Sequence, residues 1–271
     1  MTLRIVCFGD SVTRGVTYVQ GRLRIVKENY PKMLEQALHK LDVWWTPTPM
    51  PGISTQPGPV FPDSVTDVEV LNRGVFNDNS DGLLARLEKD VLAQHPDVVL
   101  IAIGGNDCNF HWDQVAHLPH ELHQAIVPLS RYLTNLQSLV CEVRNRGSLP
   151  IVLDLPPLDP VRYYRTVNGQ FGPAVSHWIA VCGGIEHWHG MYNLSLRKLM
   201  QTLQVPHIDV RTALKRAGDL ADLISDDGIH PTAAGYRVMA ETIAQQIAWW
   251  RHIGSGSQGT VSTAAAVQPS H

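Results

Sequence analysis

The sequence predicts an α/β fold, a parallel sheet covered by helices. Two observations carry that prediction. Short apolar runs alternate along the chain with longer stretches of helical periodicity, the pattern of strands connected by covering helices. The short runs are rich in Val, Ile and Leu with little polar alternation, which suits strands buried on both faces.

The elements follow in order. Leu3–Phe8 reads as a first buried strand, and Asp67–Leu71, Asp97–Ile103, Pro150–Leu155 and His207–Val210 read as four more. Helical spacing of apolar residues covers Tyr30–Lys40, Asp81–Gln94, Leu129–Arg146, Tyr192–Leu203 and Ala233–Trp250. Three stretches break the alternation, near 44–66, 108–128 and 159–190. The first contains Trp45–Pro62 with its six prolines, so an irregular surface insertion is expected. The other two follow carboxyl ends of strands, where open α/β sheets place their crevice. They are expected to shape substrate access. One domain over 1–253 is expected, followed by a small, polar, flexible tail over 254–271.

Composition excludes several classes. Hydrophobic residues make up 44% and charged residues 17%, with a net charge of −3, so neither a nucleic-acid surface nor a charged tail is expected. No uninterrupted apolar run reaches the ~18 residues of a membrane span. A strand reading starts at Leu3 with no charged, apolar and small-residue leader before it. Cys7, Cys108, Cys141 and Cys182 are scattered without a CxxC pair. A cytoplasmic protein with reduced thiols is the expectation.

Ser11, in Gly9-Asp10-Ser11-Val12-Thr13-Arg14-Gly15, lies where the first strand ends. There a hydroxyl stands at the sheet edge and the following backbone presents N–H groups. Two readings are open: Asp10 and Ser11 cap a helix, or Ser11 is a nucleophile that needs a base and an orienting carboxylate. Asp227 and His230 stand three apart in Asp227-Gly228-Ile229-His230-Pro231, just before the last helix. A carboxylate at that spacing can reach the far nitrogen of the imidazole; a surface loop with a capping histidine is the alternative. Asn72-Arg73-Gly74 follows the second strand and Gly104-Gly105-Asn106-Asp107 the third. A glycine N–H and an asparagine amide are neutral donors suited to an oxyanion, although each block alone is an ordinary turn.

Together the four blocks resemble the SGNH (GDSL-type) hydrolase family, over Ile5 to about Ile247. The order is Gly-Asp-Ser, Asn-x-Gly, Gly-x-Asn-Asp and Asp-x-x-His, each at its expected element. The resemblance implies a three-layer α/β/α, flavodoxin-like fold with a five-stranded parallel sheet. It implies Ser11 as nucleophile, His230 as base and then acid, and Asp227 as the orienting carboxylate. The oxyanion hole would be the Ser11 N–H, the Gly74 N–H and the Asn106 side chain. One departure is visible: the family places another glycine three residues after the first in its second block, and here Asn77 stands there. Asparagine tolerates left-handed backbone better than most residues. Asp226 is a second carboxylate beside Asp227, which is chosen on spacing.

Other constellations carry less. His120-Glu121-Leu122-His123 has its histidines three apart, not the four of a zinc helix; no metal or other cofactor is expected. Neither Gly104-Gly105 nor Gly183-Gly184 starts a dinucleotide turn. Trp44, Trp45, Trp178 and Trp188 fit either loop packing or a sugar or acyl contact. Trp249 or Trp250 could serve a subunit contact, which leaves a homo-oligomer open. Arg162 and Arg165 could meet an anion or form a solvated face. The expected reaction is hydrolysis of a small-molecule carboxylic ester through an acyl-enzyme. The lean is towards short acyl groups such as acetyl, on carbohydrate. Acyl transfer to an alcohol, lipase or lysophospholipase action and a non-catalytic binding module are the alternatives.

Overall fold

Residues 1–40, 59, 61 and 65–256 are described by the structure, a computed structural model. The chain opens with β1 (Thr2–Gly9), a one-turn helix α1 (Ser11–Arg14) and a hairpin of β2 (Val16–Val19) and β3 (Arg22–Ile25). Helix α2 (Tyr30–Lys40) precedes β4 (Asp67–Gly74), α3 (Ser80–Asp90) and β5 (Val98–Ala102). Then come α4 (Trp112–His117), α5 (Leu129–Asn145) and β6 (Leu149–Leu153). Next are α6 (Pro160–Phe171), α7 (Val175–Val181), α8 (Ile185–Thr202) and β7 (His207–Ile208). The chain closes with α9 (Val210–Ala217), α10 (Leu220–Leu223) and α11 (Ala233–Gly256).

Five strands form one parallel sheet in the order β4-β1-β5-β6-β7. Counted within the sheet this is 2-1-3-4-5, the flavodoxin-like order with its switch point beside the first strand. A core lies on each face. One face packs Phe8, Ile101 and Val152 under α3, α5 and α8. The other packs Ile5, Leu100 and Ile151 under α2, α9 and α11. In α2 the buried residues Tyr30, Leu34 and Leu38 recur at helical spacing, and Pro31 occupies the first turn, where its missing N–H costs nothing. Each buried leucine contributes about 1.5–3 kcal/mol.

The register matters most for function. Gly9 of β1 pairs with Gly74 of β4 and with Ala102 of β5. Three strands therefore end level, and the three segments that follow them emerge at one edge.

The five predicted strands and five predicted helices all form, with shifted ends. The expected Asp81–Gln94 helix is α3 followed by a short 3₁₀ turn at Leu92–Gln94, and α8 begins at Ile185 instead of Tyr192. The insertion near 159–190 is mostly helical. Asp159 caps α6 by accepting from the Val161 and Arg162 amides, with Pro160 in the first turn. That cap and proline are a helix-start signal already present in the sequence. The insertion near 108–128 holds α4 and otherwise irregular chain. Most of the one near 44–66, and residues 257–271 of the expected tail, lie outside the described residues.

Candidate active site

Ser11 follows Gly9 and Asp10 at the end of β1. Asp10, not Ser11, caps α1: its Oδ1 accepts from the Val12 amide at 2.9 Å. The serine side chain is thereby left for another partner. Ser11 Oγ lies 2.9 Å from His230 Nε2, and His230 Nδ1 lies 2.6 Å from Asp227 Oδ2. All three residues are buried. Of the two readings left open at the strand end, the cap falls to Asp10, and the Ser11 hydroxyl faces the His230 imidazole.

The loop that carries Asp227 and His230 is held from several sides. Asp227 Oδ1 accepts from the backbone amides of Ile229 and His230 at 3.0 and 3.1 Å. Ser225 Oγ sits 2.7 Å from the His230 carbonyl and 3.1 Å from Asp227 Oδ1. Burial pushes the Asp227 carboxyl up, but the His230 hydrogen bond, its charge and the backbone amides outweigh it. The net pKa is below the ordinary carboxylate value, so Asp227 is an anion facing the imidazole. Gly228 has φ +80°, and a Cβ there would collide with the Tyr163 amide. The loop thus presses onto the start of α6, where the Asp159 amide donates to the Gly228 carbonyl at 2.9 Å. Asp226 points elsewhere, to Arg162 at 3.6 Å. Arg162 also bonds the carbonyls of Ala221 and Ile224, so it braces this loop.

The Gly74 expectation needs correction. Its N–H donates to Asn72 Oδ1 at 2.9 Å, so it is already engaged inside its own block. A Cβ on Gly74 would strike the Arg14 backbone; the glycine is there so that α1 can lie against β4. Asn72 in turn donates from Nδ2 to the Thr13 carbonyl at 2.8 Å. The second block therefore braces the serine turn from below. Asn77 adopts φ +58°, the left-handed turn expected of it. Asn106 Nδ2 donates to the carbonyl of the next residue, Asp78, at 2.7 Å. A carboxamide has two N–H groups, so one remains. Asn106 and the Asn77 turn are thus brought together, and Gly74 stands apart.

Two residues that motif reasoning missed set this edge. Arg86, on α3, donates to the Gly9 and Arg73 carbonyls at 2.9 Å and to Asp78 and Asp90 at 2.7 and 2.9 Å. Its guanidinium lies 4.4 Å from the Phe8 ring centroid. One side chain thus ties the ends of β1 and β4 to the Asn77 turn. Asp107, fully enclosed, accepts from the Ser80 amide at 3.0 and 3.2 Å, which fixes the start of α3. Burial raises its pKa to about 6, against the Ser80 bonds. Asp10 is raised further, to about 7, by burial opposed by the Val12 amide and His230. No sequence signal marked Arg86, because its four partners come from three separate segments.

A pocket opens at the same edge. Its lining includes Asp10 and Val12, which flank Ser11, Ile229, which precedes His230, and Asn106. Among the described residues no three His, Cys, Asp or Glu side chains converge as a metal site. His120 instead stacks on His177 and His123 on Trp178.

A hydroxyl, an imidazole and a carboxylate stand in line at the carboxyl edge of a doubly wound parallel sheet, a geometry that serine hydrolases of several unrelated folds share. Residues 7–238 match the model of the GDSL-like Lipase/Acylhydrolase family. The chain belongs to that family, and it is a carboxylic ester hydrolase. An acetylxylan esterase of Geobacillus stearothermophilus is 29% identical over 193 residues, covering 69% of this chain and 75% of the relative. A Bacillus subtilis protein described as the uncharacterized lipoprotein YqeF is 26% identical over 193 residues, covering 65% and 72%. The solved lipase/acylhydrolase of Enterococcus faecalis superposes with a TM-score of 0.60 at 20% identity, over 90% of this chain and 95% of that one. The acetylxylan esterase Axe2 of Geobacillus stearothermophilus does so at 0.57 and 21%, over 91% and 95%. Both share the fold.

Proposed function

We propose that the protein hydrolyses carboxylic esters through an acyl-enzyme on Ser11. The observation that carries this reading is the unbroken line from Asp227 Oδ2 to His230 Nδ1 and from His230 Nε2 to Ser11 Oγ, at 2.6 and 2.9 Å. His230, neutral at Nε2, takes the serine proton as Oγ attacks the ester carbonyl. Asp227 holds the hydrogen on Nδ1 and stabilises the imidazolium that forms. His230 then protonates the leaving alcohol. Water attacks the acyl-serine by the same route, returning the enzyme and releasing the acid.

The developing oxyanion is met by the free hydrogen of Asn106 Nδ2 and by the Ser11 N–H, a first-turn amide without an intrahelical partner. The Asn77 N–H, in the turn Asn106 grips, takes the place first expected of Gly74. It bonds no described residue.

No cofactor takes part in these steps. No helix among the described residues is long and apolar enough to cross a membrane. Four free thiols, with Cys141 exposed, support a reducing, cytoplasmic setting.

Short acyl esters, acetyl on carbohydrate among them, find support in the relative named an acetylxylan esterase. The pocket beside the site favours a second reading, a larger acyl group.

Ser11→Ala tests the mechanism. Hydrolysis of p-nitrophenyl acetate should fall on the order of 10³-fold or more, with the circular dichroism spectrum intact. A fluorophosphonate should label the wild type and not the variant. Near wild-type turnover by Ser11→Ala would overturn the reading.

A further inference from the structure

Most of the pocket's walls come from residues that the proposed reaction does not use. They lie in the loop after β5, the loop after β6, and helices α6 to α8 of the insertion. Phe110, Leu155, Ile179, Ile185 and Trp188 give it an apolar lining. Trp188 is held in place by donating from Nε1 to the Cys108 carbonyl at 2.7 Å, and it lies against Phe110 with ring centroids 5.2 Å apart. A concave, mainly apolar lining with a few polar groups is the make-up of small-molecule sites. An acetyl methyl leaves most of that apolar surface wet, so only a larger apolar group draws binding free energy from it.

Of the polar side chains in the lining, bonding fixes Asn109 and His189 as donors. Asn109 Oδ1 accepts from the Phe110 amide at 2.9 Å, Trp112 Nε1 at 2.8 Å and Tyr163 Oη at 2.7 Å. The first two groups can only donate, so the carboxamide has one orientation. Its Nδ2 bonds no described residue. His189 Nδ1 lies 3.0 Å from Arg211 Nη1. A guanidinium only donates, so Nδ1 accepts and the ring hydrogen sits on Nε2. Burial, then the charges of Arg211 and Lys215, push its pKa down to about 3 and keep the ring neutral. Asp10 and Asp154 also border the pocket. Asp10 Oδ1 accepts from the Val12 amide; Asp154 Oδ2 lies 3.4 Å from Asn193 Nδ2 and 3.5 Å from Arg197 Nη1, while its buried Oδ1 has no partner among the described residues.

We propose that this pocket is the acyl site and takes a bulky, mainly apolar, ring-bearing acyl group. An ether or keto oxygen on that group accepts from Asn109 Nδ2 and His189 Nε2. The proposal rests on the acyl-enzyme reading above. The acyl half is assigned here because the leaving alcohol must escape after the first step, whereas the acyl group stays through both. A walled pocket suits the half that stays.

p-Nitrophenyl acetate, benzoate and 4-methoxybenzoate share one leaving group, so differences among them report the acyl site. With kcat/KM divided by each ester's rate with hydroxide, benzoate should exceed acetate about tenfold or more, and the methoxy ester should gain severalfold again. Ile179→Trp fills the pocket and should lower the benzoate-to-acetate ratio at least tenfold; Ile185→Phe repeats the test should the first variant misfold. Asn109→Asp keeps the accepting oxygen but loses the Nδ2 donor, and should remove the methoxy advantage. A normalised preference for acetate, with a ratio unmoved by filling, would overturn the acyl site and leave the esterase standing. Failure to turn over any of the three, together with no fluorophosphonate labelling of Ser11, would overturn the esterase reading and this site with it.

Discussion

The site edge and the pocket wall differ in what builds them. At the edge, Ser11, Asn106, Asp227 and His230 stand on short turns locked by backbone amides and carbonyls, and the bonds are local or run to the level ends of β1, β4 and β5. The wall is assembled from side chains on helices and loops far apart in sequence, such as Trp112 against Tyr163 and Trp188 against Phe110. The difference teaches that reactive geometry is set by backbone turns with few permissible residues. Selectivity is set by packing, where many residues fit. Changes at the edge should therefore strike kcat, whereas changes in the wall should strike the choice between substrates.

Asn106→Ala is the larger of the edge tests after Ser11. It removes the proposed oxyanion donor and the bond to the Asp78 carbonyl, so kcat should fall about 10²–10³-fold while KM moves little. Steady-state kinetics on p-nitrophenyl acetate measures it. A loss seen only in KM would move Asn106 from the edge group to the wall group.

Arg86→Ala asks whether the edge depends on one brace. It leaves Asp78 and Asp90 without their cation, and both partners are largely buried, with the Arg86 side chain 16% exposed and Asp78 11%. Breaking such a pair costs about 3–5 kcal/mol, and urea unfolding should show a loss near the lower end of that range. Arg86→Lys keeps the charge but loses the fork, so it should fall between. A change within about 0.5 kcal/mol, the size of an ordinary surface substitution, would show that the Asn77 turn is held without Arg86.

Much of the edge was legible in the sequence for the same reason that it is rigid. The spacing of Asp227 and His230, the Asp-Ser after β1 and the Asn at position 106 are local patterns, and local patterns survive in a linear reading. Gly74 was misassigned because a glycine serves equally as an open N–H or as room for a neighbour; only Asn72 Oδ1 and the Arg14 backbone show which. The helix α6 was legible too, through Asp159 and Pro160, but the irregular stretches around it masked the signal. The hairpin β2–β3 was not, since its second strand is exposed throughout and carries no buried face. Arg86, Asn109 and His189 were out of reach in a different way. Their roles depend on partners 4 to 77, 1 to 54 and 22 positions away, and no spacing rule encodes such sets.

The last test concerns Asp10, where the edge trades stability for position. Its folded pKa is raised to about 7 from an ordinary 3.8 by burial, against the Val12 amide and His230. The fold therefore favours the neutral carboxyl. Below pH 3.8 the group is protonated folded or unfolded and adds no pH dependence; as pH rises from there to about 7 the unfolded chain ionises first, and stability falls. Asp107 and Asp154, raised to about 6 and 7, act in the same direction. Asp10→Asn cannot ionise and can still accept from Val12 through its Oδ1. Its stability relative to wild type should rise between pH 4 and 7 and hold constant above, as read by urea unfolding at pH 5, 6 and 8. A difference that stays flat across that range would mean Asp10 is ionised in the folded protein, with the Val12 amide and His230 offsetting burial at the very edge that holds Ser11.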